Sequence, residues 1–215
     1  QPRPGSGPMP VPAPPELGAR SYILVDFYSN TVLVDRNADE RVEPASITKV
    51  MTAYVVFNEL AKGNITLEDQ VPVSEKAWKI GGSRMFIDPS MQVSVEDLLR
   101  GMIIQSGNDA SVALAEFVAG SEEAFAGVMN HYAEVLGMGE TNFMNSTGWP
   151  HENHYTTAHD IARLSAAVIR DLVSINKDDG YHKVWLGPYL NEDQADAIIL
   201  RAVELGFDRP HKVRR

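Results

Sequence analysis

Cysteine is absent from all 215 residues. That excludes a disulfide, a thiolate nucleophile and a thiolate metal site, and it suits an exported protein. Basic residues are in deficit, with 19 Lys and Arg against 29 Asp and Glu and a net charge of -10. The balance argues against a general nucleic-acid binder, though a local basic patch stays compatible with it. No apolar run approaches the length of a membrane span. No signal peptide is visible, and the start at Gln1 fits a mature chain whose leader was removed, or a trimmed one. What the chain does have is an ordinary hydrophobic content of 44%, enough to build a core.

The first 15 residues hold 7 of the 13 prolines, which predicts an extended linker over residues 1–17. Two β-branched and aromatic runs then flank Ser29-Asn30 and predict a hairpin. Apolar residues at helical spacing (Ile47, Val50, Met51, Tyr54, Val55) predict a helix from about Ala45 to Ala61, stopped near Gly63, with that face in the core. "GGSRMFIDPS" reads as a turn and short strands. Helices follow over Val95–Ile104, capped by Ser94, then from Asp109 to about Ala119, Glu122–Leu136, and to about Leu172 after a cap at Thr157. "NKDDG" reads as a linker, "YHKVWLGPYL" as a strand and "NEDQADAIILRAVELGF" as an amphipathic helix.

Chemistry enters with Ser46 and Lys49. At i and i+3 on a helix they project to one side. A partly desolvated lysine beside a serine hydroxyl loses basicity and can accept its proton. The helix start adds backbone N–H groups that favour a developing oxyanion. A chance serine with a surface lysine explains the same spacing. Sixty residues on, Ser106-Gly107-Asn108 forms a polar corner between two apolar helices. Such a corner can hold a hydroxyl and an amide at a cleft, as proton shuttle and amide anchor. It can equally be a C-cap followed by an N-cap.

Together these residues resemble the penicillin-recognising serine enzymes, whose elements are S-x-x-K, S-x-N and K-T-G. "PASITKVMTAYVVF", "GGSRMFIDPSMQVSVEDLLRGMIIQSGNDASVALAE" and "NFMNSTGWPHENHYTTAHDIARL" are similar to the low-molecular-mass D-alanyl-D-alanine carboxypeptidases, over about Glu16 to Asp171. The resemblance implies an α+β fold of the β-lactamase/transpeptidase type, a helical cluster on an antiparallel sheet, across residues 18–172. It implies Ser46 as acylated nucleophile, Lys49 as general base, Ser106 as proton relay and Asn108 as substrate-amide anchor. The oxyanion hole would use the Ser46 N–H and one from the K-T-G strand. Peptidoglycan stem peptides would be the substrate, β-lactams the inhibitors, and the location periplasmic or otherwise at the cell envelope. No cofactor is implied.

K-T-G itself does not occur, nor K-S-G or H-T-G, and "STG" at Ser146 to Gly148 sits too early to replace it. The expectation is therefore an incomplete sheet, with either a truncated or spliced product or an incomplete chain as its origin. An enzyme of lowered activity and an inactive cell-wall-binding relative both fit. A serine β-lactamase ranks below them, because no E-x-x-L-N follows the nucleophile. Residues 173–215 resemble half of a sporulation-related repeat (SPOR) domain, which implies binding to glycan strands; an unrelated strand and helix is the alternative. His151, His154 and His159 with Glu152 raise a zinc site, but the spacing is not H-E-x-x-H and the carboxypeptidase likeness explains the stretch better.

Overall fold

Helix α1 (Thr48–Ala61) starts later than its apolar spacing predicts, because Ala45–Ile47 form a 3-10 turn ahead of it. That turn rotates Ile47 out of phase with the helix. Met51, Tyr54 and Val55 are buried as expected, but Ile47 is 51% exposed and faces a groove beside the first hairpin. The computed structural model describes residue 14, residues 16–172 and two strands at 175–178 and 181–184.

The first hairpin forms as predicted. Strands β1 (Tyr22–Val25) and β2 (Val32–Arg36) pair antiparallel, Tyr22 opposite Arg36, with a slip between Leu24 and Val25. Asn30 takes a left-handed φ of 55° in the turn, which asparagine tolerates. A second small sheet joins β3 (Gln70–Pro72) to β4 (Gln92–Ser94). Between them lies the short helix α2 (Glu75–Lys79). Residues 81–90 hold no strand: "GGSRMFIDPS" runs as an irregular loop, and the reason lies in its partners, described below.

Four longer helices complete the cluster: α3 (Val95–Gln105), α4 (Asn108–Ala119), α5 (Glu122–Val135) and α6 (Ala158–Leu172). Their starts follow capping chemistry. Ser94 Oγ accepts from Asp97 N–H, Ser121 Oγ from Ala124 N–H, and Thr157 Oγ1 from Asp160 N–H. Helix α4 is the central element, packed on α1, α2, α3 and α5. Every residue from Asn108 to Ala115 is buried. Met51, Leu98, Met102, Phe125 and Met129 fill the space around it.

Past α6, strands β5 (Ile175–Asp178) and β6 (Tyr181–Val184) form a hairpin, Ile175 opposite Val184. This corrects the linker reading of "NKDDG". Polar composition marked a turn there, but cross-strand pairing with β6 supplies the hydrogen bonds that local composition does not reveal. The proline-rich residues 1–13 and the rest of the SPOR-like stretch, from residue 185 onward, lie outside the described residues. The described part is thus an α+β arrangement, a helical cluster with three two-stranded antiparallel sheets.

Candidate active site

Lys49 lies in the first turn of α1 and is only 6% exposed. Its ammonium donates to Ser46 Oγ at 3.1 Å, to Asn108 Oδ1 at 2.8 Å and to the Thr147 carbonyl at 2.9 Å. Three acceptors match its three protons. None of them is charged, so burial is uncompensated and pulls the ammonium down from 10.5 to about 8. Ser46 stands in the exposed 3-10 turn. As the second residue of that turn, its N–H is one of the donors that a helix start leaves free.

Backbone strain gathers around this turn. Among the described residues, five that are not glycine have a positive φ. Two are asparagines; the others are Ala45 at 45°, Phe86 at 66° and Ser106 at 57°, all on segments bordering the Ser46–Lys49–Asn108 cluster. Such conformations cost on the order of 1–3 kcal/mol each and persist only where packing over-determines them. For Ala45 the packing partner is Gly148. Its φ is 83°, and a Cβ there would overlap the Ala45 carbonyl oxygen.

Asn108 begins α4 and is buried. Its Nδ2 donates to the Gly81 carbonyl at 2.8 Å, and its own N–H donates to the Ser83 carbonyl at 2.7 Å. Gly82 is required here, because at φ 81° a Cβ would approach Asn108 Nδ2 to 2.6 Å. Next along, the fully buried Asp109 carboxylate accepts from the N–H groups of Met85, Phe86 and Ile87. A carboxylate that collects three amides holds residues 85–87 to α4. It also explains why the segment is not a strand, since those amides are unavailable to a ladder.

The loop after α5 closes the other side. Asn145 Oδ1 accepts from the N–H groups of Thr147, Gly148 and Trp149 and so shapes the turn. Buried Ser146 is gripped at both ends: Glu122 Oε1 accepts from its N–H at 3.0 Å and its hydroxyl at 2.8 Å, and its carbonyl accepts from Thr52 Oγ1 at 2.7 Å. His154, 3% exposed, ties the same loop to α1. Met144 N–H donates to its Nδ1, so the proton sits on Nε2, which donates to Thr48 Oγ1 at 2.9 Å.

Burial, with the nearby His151, lowers His154 from 6.5 to about 4. The unfolded chain then binds the extra proton first as pH falls. The stability from neutral His154 is complete above about pH 6.5 and is lost on acidification through about pH 4. By linkage the loss between these limits is about 3 kcal/mol. Denaturant midpoints measured from pH 7 to 4 should fall accordingly, and His154→Gln should flatten the dependence. An equally steep fall in that variant would refute the assignment.

Of the residues singled out in the sequence, Ser46, Lys49 and Asn108 meet in one hydrogen-bonded cluster. Ser106 caps α3 in a left-handed conformation, half-buried, and is not among the partners of Lys49. The histidines disperse: His154 to Thr48, His159 to Asp39, and His151 to Asn153 N–H. Among the described residues, no group of three His, Asp or Glu could hold a metal. Sequence reasoning missed the Thr147 carbonyl, Glu122, Asp109 and Gly148. Only Gly148 carried a signal, as the glycine of the "STG" triplet in a turn-rich loop.

Comparison with known proteins identifies the family. Residues 9–184 match the family model described as D-alanyl-D-alanine carboxypeptidase, so the match includes the β5–β6 hairpin. D-alanyl-D-alanine carboxypeptidase DacC of Escherichia coli K12 is 48% identical over 164 residues, 74% of this chain and 41% of that protein. DacF of Bacillus subtilis 168, of the same description, is 42% identical over 168 residues, 78% of this chain and 43% of that protein. The crystal structure of penicillin-binding protein 5 from Haemophilus influenzae superposes with a TM-score of 0.73 at 44% identity, covering 75% of this chain and 48% of that one. The chain therefore spans about two fifths of the length of these curated relatives.

Proposed function

Since this chain belongs to the D-alanyl-D-alanine carboxypeptidase family of serine peptidases, we propose that its cleft carries the acylating half of that chemistry, with peptidoglycan stem peptides as substrate. The observation that carries the reading is the buried, charge-starved Lys49 ammonium 3.1 Å from Ser46 Oγ. Neutral Lys49 takes the Ser46 proton as Oγ attacks the carbonyl of the terminal peptide bond. The Ser46 N–H stabilises the oxyanion. The C–N bond then breaks as the departing D-alanine amine takes the proton that Lys49 accepted, relayed by Ser106 in the substrate complex, and water later hydrolyses the acyl ester and restores Ser46. Asn108 donates to Gly81 with one Nδ2 proton, and the second can hold a substrate carbonyl. A β-lactam would acylate Ser46 in the same way. The same reading places the chain at the bacterial cell envelope. Among the described residues no helix is long and apolar enough to cross a membrane.

The reading also divides the chain into a linker at 1–17, the carboxypeptidase-like domain at 18–172 and a glycan-binding tail at 173–215, although the family match runs across both boundaries. Intact-mass measurement after penicillin exposure tests the acylation. A stable adduct on Ser46 supports a working nucleophile. No adduct at high concentration supports the second reading, an inactive cell-wall-binding relative, which the absent K-T-G favours.

That absence sets an expected magnitude. One oxyanion donor is typically worth about 10²–10³ in rate. Release of D-alanine from a pentapeptide should therefore run at least about 10²-fold below that of a relative carrying K-T-G. Robust release by these 215 residues would mean that other groups replace the missing ones.

A further inference from the structure

A buried carboxylate that the proposed reaction does not use lies behind the general base. Glu122, at the start of α5, is 6% exposed. Its Oε1 accepts from both the N–H and the hydroxyl of Ser146, at 3.0 and 2.8 Å. Its Oε2 pairs with Lys76 of α2 at 3.0 Å. A buried charge of this kind is costly unless every bond is made, and here both oxygens are engaged.

The grip passes to Lys49 through the neighbouring residue, Thr147. Ser146 is held through its N–H and hydroxyl by α5, and through its carbonyl by Thr52 of α1, three residues along the helix from Lys49. With Ser146 fixed at both ends, and the Gly148 N–H of the following peptide plane held by Asn145 Oδ1, the Thr147 carbonyl turns to Lys49 Nζ and accepts from it at 2.9 Å. We propose that Glu122 is a positioning residue for the general base: through Ser146 it aims the Thr147 carbonyl that, with Asn108, holds the Lys49 amine against Ser46.

Other ionisable groups nearby face elsewhere. Asp109 turns its carboxylate to the amides of residues 85–87. His154 bonds Thr48 and reaches Lys49 only through the helix. Lys76 meets Glu122 from the solvent side. Glu122 is the carboxylate that grips Ser146, the residue preceding the Thr147 carbonyl that accepts from Lys49.

A carbonyl accepting from an ammonium favours the charged form, so releasing it should make Lys49 titrate at lower pH. The freed amine would be more often neutral yet worse placed, and misplacement of this kind lowers rate by an order of magnitude or more. This inference rests on Lys49 serving as the base, so the test uses two readouts. One is the pH titration of the Lys49 side chain by ¹³C NMR in the 215-residue chain, its signal assigned by its loss in Lys49→Arg. The other is the pH profile of Ser46 acylation by penicillin.

Glu122→Ala should move the Lys49 titration to lower pH by about half a unit or more and lower the high-pH acylation plateau about tenfold. Glu122→Gln keeps an oxygen for Ser146 and should hold the plateau within about threefold of the parent. Should Glu122→Ala not fold, Thr52→Val loosens the other end of the grip and should shift the titration the same way. An unmoved Lys49 titration in folded Glu122→Ala or Thr52→Val overturns the proposal, as does a Gln variant as impaired as Ala. A parent chain that takes no adduct would instead defeat the acylation reading, while the titrations still decide the role of Glu122.

Discussion

Ser46→Ala should leave the chain folded and unable to take a penicillin adduct at any pH. Ser46 is exposed in its 3-10 turn, so its hydroxyl contributes little to packing. It accepts one bond from Lys49, whose ammonium keeps Asn108 and Thr147 as partners. Alanine suits the turn, and loss of one partly buried hydrogen bond costs about 1 kcal/mol. Acylation, by contrast, requires the oxygen itself. Intact-mass analysis reads the adduct and thermal unfolding reads the fold. An alanine variant that still labels on the same tryptic peptide would show that the nucleophile is another residue.

Lys49→Arg should be nearly as damaging as Lys49→Ala. Only the neutral amine can take the serine proton, and burial brings Lys49 to about 8. At pH 7 about a tenth of the molecules then carry the free base, roughly 300-fold more than for a lysine titrating near 10.5. Parent acylation should therefore rise with pH up to about 8 and then level. Arginine stays protonated throughout this range. Its planar fork also cannot reproduce three bonds arranged around a single nitrogen. Loss of a positioned base typically costs about 10²–10⁴ in rate. Stopped-flow acylation from pH 6 to 10 should show that drop and no rise near pH 8. A Lys49→Arg rate close to the parent's would exclude the general-base role.

The comparison with solved structures and curated relatives places these expectations in a known family. Much of the helical cluster is legible in the sequence alone. Periodic apolar residues mark α1, α3, α4, α5 and α6, while Ser94 and Thr157 announce two helix starts. The Ser46–Lys49 pair and the Ser106–Asn108 corner can be read because each is a short pattern on a local element. Boundaries that depend on distant partners are not legible. Ile47 follows the helical period yet lies in a 3-10 turn, beside a carbonyl packed against Gly148 from a hundred residues away. Residues 85–87 have the composition of a strand, but Asp109 takes their amides.

By itself, then, the sequence determined the absence of thiol chemistry, the helices, the candidate nucleophile and base, and the lack of a K-T-G triplet. All of these depend on residue identity or on spacing within a few turns of chain. Only the tertiary structure decided that Lys49 is buried among uncharged acceptors, because desolvation comes from α4 and the 145–148 loop closing over it. The roles of Glu122 and Thr147 were likewise decided there. A glutamate at a helix start reads as a dipole complement in any sequence. Its carboxylate becomes part of the Lys49 environment only when α5 folds against the loop that carries Ser146, and sequence separation conceals that contact until the chain has packed.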